Sequence, residues 1–114
     1  MSVYTKRMLG GNKYKKEKWA DYVNGDKLLS LGKMPPTFFV TSSGDTLALG
    51  QTVKLEKAYR EKGIDTKILN YGKVDGKAQP HVFSVIYPDR EPGNETIDEM
   101  LSFFRKYAKN EAAQ

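Results

Sequence analysis

The chain of 114 residues has no cysteine and a single histidine, His81. Without thiols there can be no disulfide, no thiolate nucleophile and no thiolate metal site. That usage is compatible with a cytoplasmic setting. No apolar run approaches the roughly 18 residues that span a bilayer, and the start lacks the pattern of a signal peptide, so no membrane span is expected. Arginine, whose planar fork suits phosphates and base edges, is scarce: only Arg7, Arg60, Arg90 and Arg105 occur. No zinc-finger spacing, RNA-binding aromatic motif or helix-turn-helix pattern accompanies the lysines, so nucleic acid is not an expected partner. None of Ser2, Ser30, Ser42, Ser43, Ser84 or Ser102 stands in a Gly-x-Ser-x-Gly setting. A nucleophilic serine on a strained strand-to-helix turn is therefore missing from this sequence.

What is present is enough apolar material for one modest domain. Hydrophobic residues make up 39% and include five Phe, seven Tyr and one Trp, which argues against disorder. The net charge of +5 is carried wholly by residues 1–33, where eight cationic side chains face Glu17, Asp21 and Asp26. We read residues 1–34 as a basic lead-in segment with a solvated lysine-rich surface. Within it, a short helix is expected over residues 16–23 and a turn at Asn24-Gly25-Asp26. Residues 35–109 form the organised part, and residues 110–114 a frayed tail.

Pro35-Pro36 opens a run, Thr37-Phe38-Phe39-Val40-Thr41, that is apolar or β-branched throughout. Such a run fits a strand covered on both faces in a parallel sheet. Ser42-Ser43-Gly44-Asp45 leaves its carboxyl end. Residues 49–62 turn helical, with Leu55, Ala58, Tyr59 and the stem of Lys62 on one face, and Gly63 suits a left-handed C-cap. Residues 65–71 give a second strand, so the three elements make a parallel β-α-β unit. A Gly-, Lys- and Pro-rich loop is expected over residues 72–80, with His81 just beyond it. A polar turn follows at Pro92-Gly93-Asn94. The last helix is expected near Thr96, capped by Thr96 and Glu99, with an apolar stripe of Ile97, Met100, Leu101, Phe104 and Ala108. Two parallel strands leave unpaired edges, so the sheet is incomplete.

Asp45 lies just past the carboxyl end of a parallel strand, where open α/β sheets place working residues. By itself it could equally be a turn aspartate or a cap for the following helix. His81 by itself could be an ordinary loop histidine. Together they are more specific, because a loop after the second strand can reach back over the neighbouring strand's end. A carboxylate that orients an imidazole supplies two of the three members of a hydrolytic triad.

The stretch Pro35-Pro36-Thr37-Phe38-Phe39-Val40-Thr41-Ser42-Ser43-Gly44-Asp45-Thr46-Leu47 resembles the segment holding the triad acid in α/β-hydrolases of the hormone-sensitive-lipase-like esterase group. There a Pro-Pro-Thr start and a hydrophobic strand lead to Gly-x-x-Asp-Pro-Leu. Lys62-Gly63-Ile64-Asp65-Thr66-Lys67 is similar to the group's helix end and last strand, and His81-Val82-Phe83 to its His-Gly-Phe. Thr46 replaces the usual proline, Val82 the usual glycine, and Gly44 directly precedes the aspartate. The resemblance implies the carboxyl-terminal portion of an α/β-hydrolase fold, with Asp45 and His81 as catalytic acid and base.

On that reading the chain belongs to a carboxylic-ester hydrolase acting on small acyl esters, with no metal or organic cofactor. It would be inactive alone, and would meet a missing amino-terminal hydrolase segment or a second copy of itself. Two other readings fit the residues: a non-catalytic binding or assembly module, and part of an α/β-hydrolase peptidase of the prolyl-oligopeptidase type.

Overall fold

A computed structural model describes residues 29–30 and 32–112 of the chain, which divides into two compact units, 1–34 and 35–114. The helix and turn expected within residues 16–26 lie outside the described residues. Among its described residues the second unit carries seven elements: β1 (Thr37–Ser42), α1 (Leu49–Glu61), β2 (Thr66–Tyr71), β3 (Lys73–Val74), β4 (Lys77–Ala78), α2 (Phe83–Ile86) and α3 (Glu91–Ala112).

The expected β-α-β unit forms. β1 pairs in parallel with β2, in register from Thr37 opposite Thr66 to Ser42 opposite Tyr71. Alternation along β1 sends neighbouring side chains to opposite faces. The Phe39 ring meets Tyr59 of α1 edge-on at 5.3 Å, and the Phe38 ring meets Phe103 of α3 at 5.5 Å. The pair of strands is thus covered on both faces, which explains why β1 reads as a continuous apolar run rather than an alternating one. Gly63 adopts a φ of 75° after α1, as its position suggested. Instead of the Lys62 stem, the buried polar residue on α1 is Glu56. Its carboxylate accepts hydrogen bonds from Arg60 Nε (3.3 Å) and Thr66 Oγ1 (3.1 Å), tying the helix to the start of β2.

Two expectations need correction. The last helix starts at Glu91, five residues before Thr96, so Pro92-Gly93-Asn94 is helix rather than turn. Proline is tolerated in a first helical turn, where its missing N–H has no intrahelical acceptor. Thr96 is consequently internal and buried, and its hydroxyl donates to the Pro92 carbonyl at 2.7 Å instead of capping. Glu99 pairs with Lys67 of β2. The inward stripe is also rotated. Phe103 is buried, whereas Leu101 and Phe104 are 43% and 48% exposed. Seating Phe103 against Phe38 fixes the helix roll, which turns Leu101 and Phe104 away from the sheet.

The second correction concerns residues 72–80, which contain a small hairpin. β3 and β4 pair antiparallel, Lys73 with Ala78 and Val74 with Lys77, around Asp75 and Gly76 at φ of 50° and 73°. Positive φ at both central residues is the two-residue turn whose twist suits a hairpin, and Asp-Gly is its usual sequence.

At the carboxyl end of β2 the Tyr71 ring packs on Phe83 (5.4 Å) while its hydroxyl donates to Glu95. Burial, then the Glu95 carboxylate, push the Tyr71 hydroxyl up to about 12. A raised folded value means the protonated phenol stabilises the fold. That contribution is complete below the ordinary value near 10 and is lost between about pH 10 and 12. Urea titrations of wild type and Tyr71→Phe across that window should therefore show a steeper alkaline decline for wild type. Parallel declines would count against it.

Among the described residues the sheet has only these two strands, so β1 has no second neighbour there. No helix among them is long and apolar enough to cross a membrane.

Candidate functional site

The site is built where β1 ends. The ladder closes with Ser43 N–H donating to the Tyr71 carbonyl (2.9 Å), and the chain turns so that Asp45 N–H donates to the Ser42 carbonyl (3.0 Å). That turn swings the Asp45 side chain under the start of α1. One oxygen, Oδ1, accepts from the backbone N–H groups of Ala48 (2.9 Å) and Leu47 (3.2 Å). The other, Oδ2, lies 2.9 Å from His81 Nδ1. Asp45 thus holds the amides of the turn before α1 with one oxygen and meets the imidazole with the other.

Asp45 is only 4% exposed. Its pKa is held below the ordinary carboxylate value, chiefly by the hydrogen bond to His81, with the Ala48 and Leu47 amides acting in the same direction and burial opposing them. An ionised Asp45 can only accept, so the proton of the neutral imidazole resides on Nδ1 and Nε2 presents its lone pair. The His81 side chain is 46% exposed, so solvent or a reacting group can reach the ring. The structure therefore brings both expected residues together at the carboxyl ends of adjacent parallel strands.

A cavity of about 440 Å³ opens beside the pair, with Val40, Asp45, His81, Val82, Ile97 and Met100 among its walls. That is within the usual size range of small-molecule sites, and its walls are mainly apolar. Among the described residues no group of three or more His, Asp or Glu is placed to hold a metal ion.

Immediately after His81, Val82 takes φ 51° and ψ 33° before α2 begins. Left-handed backbone crowds Cβ against the following carbonyl, and a β-branched residue there is an outlier. The strain costs about 1–2 kcal/mol, offset in part because glycine loosens the unfolded chain. Val82→Gly should raise stability by about 1 kcal/mol, seen as a higher urea midpoint. A lower midpoint would mean that the valine's packing outweighs the backbone strain.

Neither a family model nor a curated protein matches the chain in sequence. Solved structures do match it. Esterase B from Lactobacillus rhamnosis (HN001) aligns with a TM-score of 0.74 at 20% identity, over 95% of this chain and 33% of that one. The same esterase inhibited by a C4-C4 SN3 tributyrin phosphonate, and its C6-C4 SN3 inhibited form, align at 0.75 with the same identity and coverage. This chain has the fold of part of an α/β-hydrolase. It spans about a third of the esterase it matches.

Three residues at the site were not anticipated. Ser42, fully buried, donates its hydroxyl to the Gln79 carbonyl at 2.7 Å. Gly44 packs so tightly on Gln79 that a Cβ there would stand 2.3 Å from the same carbonyl oxygen. The only sequence signal for these contacts was Asp75-Gly76, which marks the hairpin that brings Gln79 back.

Proposed function

We propose that this chain supplies the acid and base of a carboxylic-ester hydrolase of the hormone-sensitive-lipase-like group, as the carboxyl-terminal portion of its catalytic domain. The observation that carries the reading is the 2.9 Å contact between Asp45 Oδ2 and His81 Nδ1, beside an apolar cavity at the ends of parallel strands. His81 Nε2 takes the proton of a serine hydroxyl brought by another segment as that serine attacks the acyl carbon. It then returns the proton to the departing alcohol. Asp45 holds the ring in the required tautomer and stabilises the imidazolium. Water repeats the sequence to release the acid, again with Nε2 as base. The oxyanion donors come with the nucleophile's segment, and the proposed place of action is the cytoplasm.

A non-catalytic assembly module is the second reading. It is favoured by apolar side chains left at the surface near the site, notably Val85 at 76% and Leu47 at 73% exposed. With the edge of β1 that has no partner among the described residues, these would suit a completing segment or a second copy.

The isolated chain should not hydrolyse short-acyl nitrophenyl esters above the buffer rate. Turnover that survives purification and vanishes in His81→Ala would contradict this. The coding sequence upstream separates the two readings. A Gly-x-Ser-x-Gly in the same frame, with ester hydrolysis by the longer protein, supports the hydrolase; hydrolysis of peptide anilides instead would shift the substrate class. No such motif would favour the assembly module.

A further inference from the structure

His81 sits on a loop, half exposed, and among the described residues its side chain bonds only Asp45, so the loop needs a further hold on its backbone. The chain leaves β2 at Tyr71, folds through the β3–β4 hairpin, and returns across the end of β1 at Gln79, two residues before His81. At that crossing two features of β1's exit converge on one carbonyl oxygen. Ser42 Oγ donates to it at 2.7 Å from a fully buried position. Gly44, from the turn, allows the oxygen to come close enough that any Cβ would collide with it at 2.3 Å and touch Ala78 Cβ at 3.0 Å.

We infer that Ser42 and Gly44 form a latch on the Gln79 carbonyl, and that this latch positions the His81 ring on Asp45. Both are positioning residues that act on the ring through the backbone of its loop. The geometry also accounts for a glycine immediately before the aspartate. One turn presents the carboxylate to the ring and receives the backbone that carries the ring. The docked loop keeps an acceptor for this buried hydroxyl, and the net gain of one intramolecular hydrogen bond favours it over a detached loop. The inference rests on the proposed role of the Asp45–His81 pair.

The single histidine makes the test direct. Nitrogen-15 spectra of the ring, taken in the whole chain well above the ordinary imidazole value of about 6.5, report which nitrogen carries the proton. Wild type should show the Nδ1–H tautomer set by Asp45. Ser42→Ala should lower the ratio of that tautomer to the Nε2–H form about five-fold, as expected for loss of one hydrogen bond. Gly44→Ala, in the surface turn, should lower it at least as much by pushing the carbonyl away from the other side. Ser43→Ala, on an exposed neighbour, should leave it unchanged. Should Ser42→Ala fail to fold, Gly44→Ala alone decides. A wild-type ratio retained in Gly44→Ala overturns the latch. If wild type itself lacks the Nδ1–H tautomer, it is the Asp45–His81 pairing that fails.

Discussion

In a protein where this chain is completed by a segment carrying the nucleophile, Asp45→Asn should reduce kcat for a short acyl ester by about 10⁴-fold. The size follows from the division of labour between the two carboxylate oxygens. An asparagine keeps an acceptor for the Ala48 and Leu47 amides, so the turn into α1 survives. Its NH₂ group, however, faces His81 Nδ1, which must then accept. The imidazole is driven to carry its proton on Nε2, the nitrogen that has to take the serine's proton. The substitution therefore leaves the fold and removes the base. His81→Ala should cost at least as much. A loss under about ten-fold in Asp45→Asn would mean that the carboxylate serves mainly to hold the turn before α1.

The second large effect concerns the fold. Phe103 is the buried aromatic through which α3 covers its face of the sheet, with Phe38 at 5.5 Å, Phe104 at 5.4 Å and Tyr107 at 5.2 Å. Phe103→Ala should cost about 3–5 kcal/mol, a large share of the 5–15 kcal/mol typical of a domain. Thermal or urea unfolding should show loss of most of the cooperative transition. Phe104→Ala, on a side chain 48% exposed, should cost under about 1 kcal/mol. Equal damage from both would indicate that something covers the Phe104 rim in solution, as self-association would.

The aromatic arrangement shows how sequence pattern translates into structure. Thr37 to Thr41 was legible as a doubly covered strand because every residue there is apolar or β-branched, and Phe38 and Phe39 indeed face different helices. The start of α3 was not legible, because Pro92-Gly93 serves a turn and a first helical turn equally well and only packing chooses between them. The hairpin was missed for a different reason. Each of its strands is two residues long, too short for alternation to register, although Asp75-Gly76 was a fair signal of the turn. Glu56 could not be found in advance, since a helix-face carboxylate is normally solvated. Its burial depends on Thr66 being brought alongside by the crossover.

By itself, the sequence determined the order of strand, helix and strand, the parallel pairing that such a crossover requires, and Asp45 and His81 as the residues worth watching. These are local matters: residue type, spacing, and what lies at a strand's end. Tertiary structure alone decided the roll of α3, the burial of Glu56, the strained backbone at Val82, and the Ser42–Gly44 contact with the Gln79 carbonyl. Each of those depends on atoms far apart in the chain meeting at ångström range, and no periodicity within one segment encodes such a meeting.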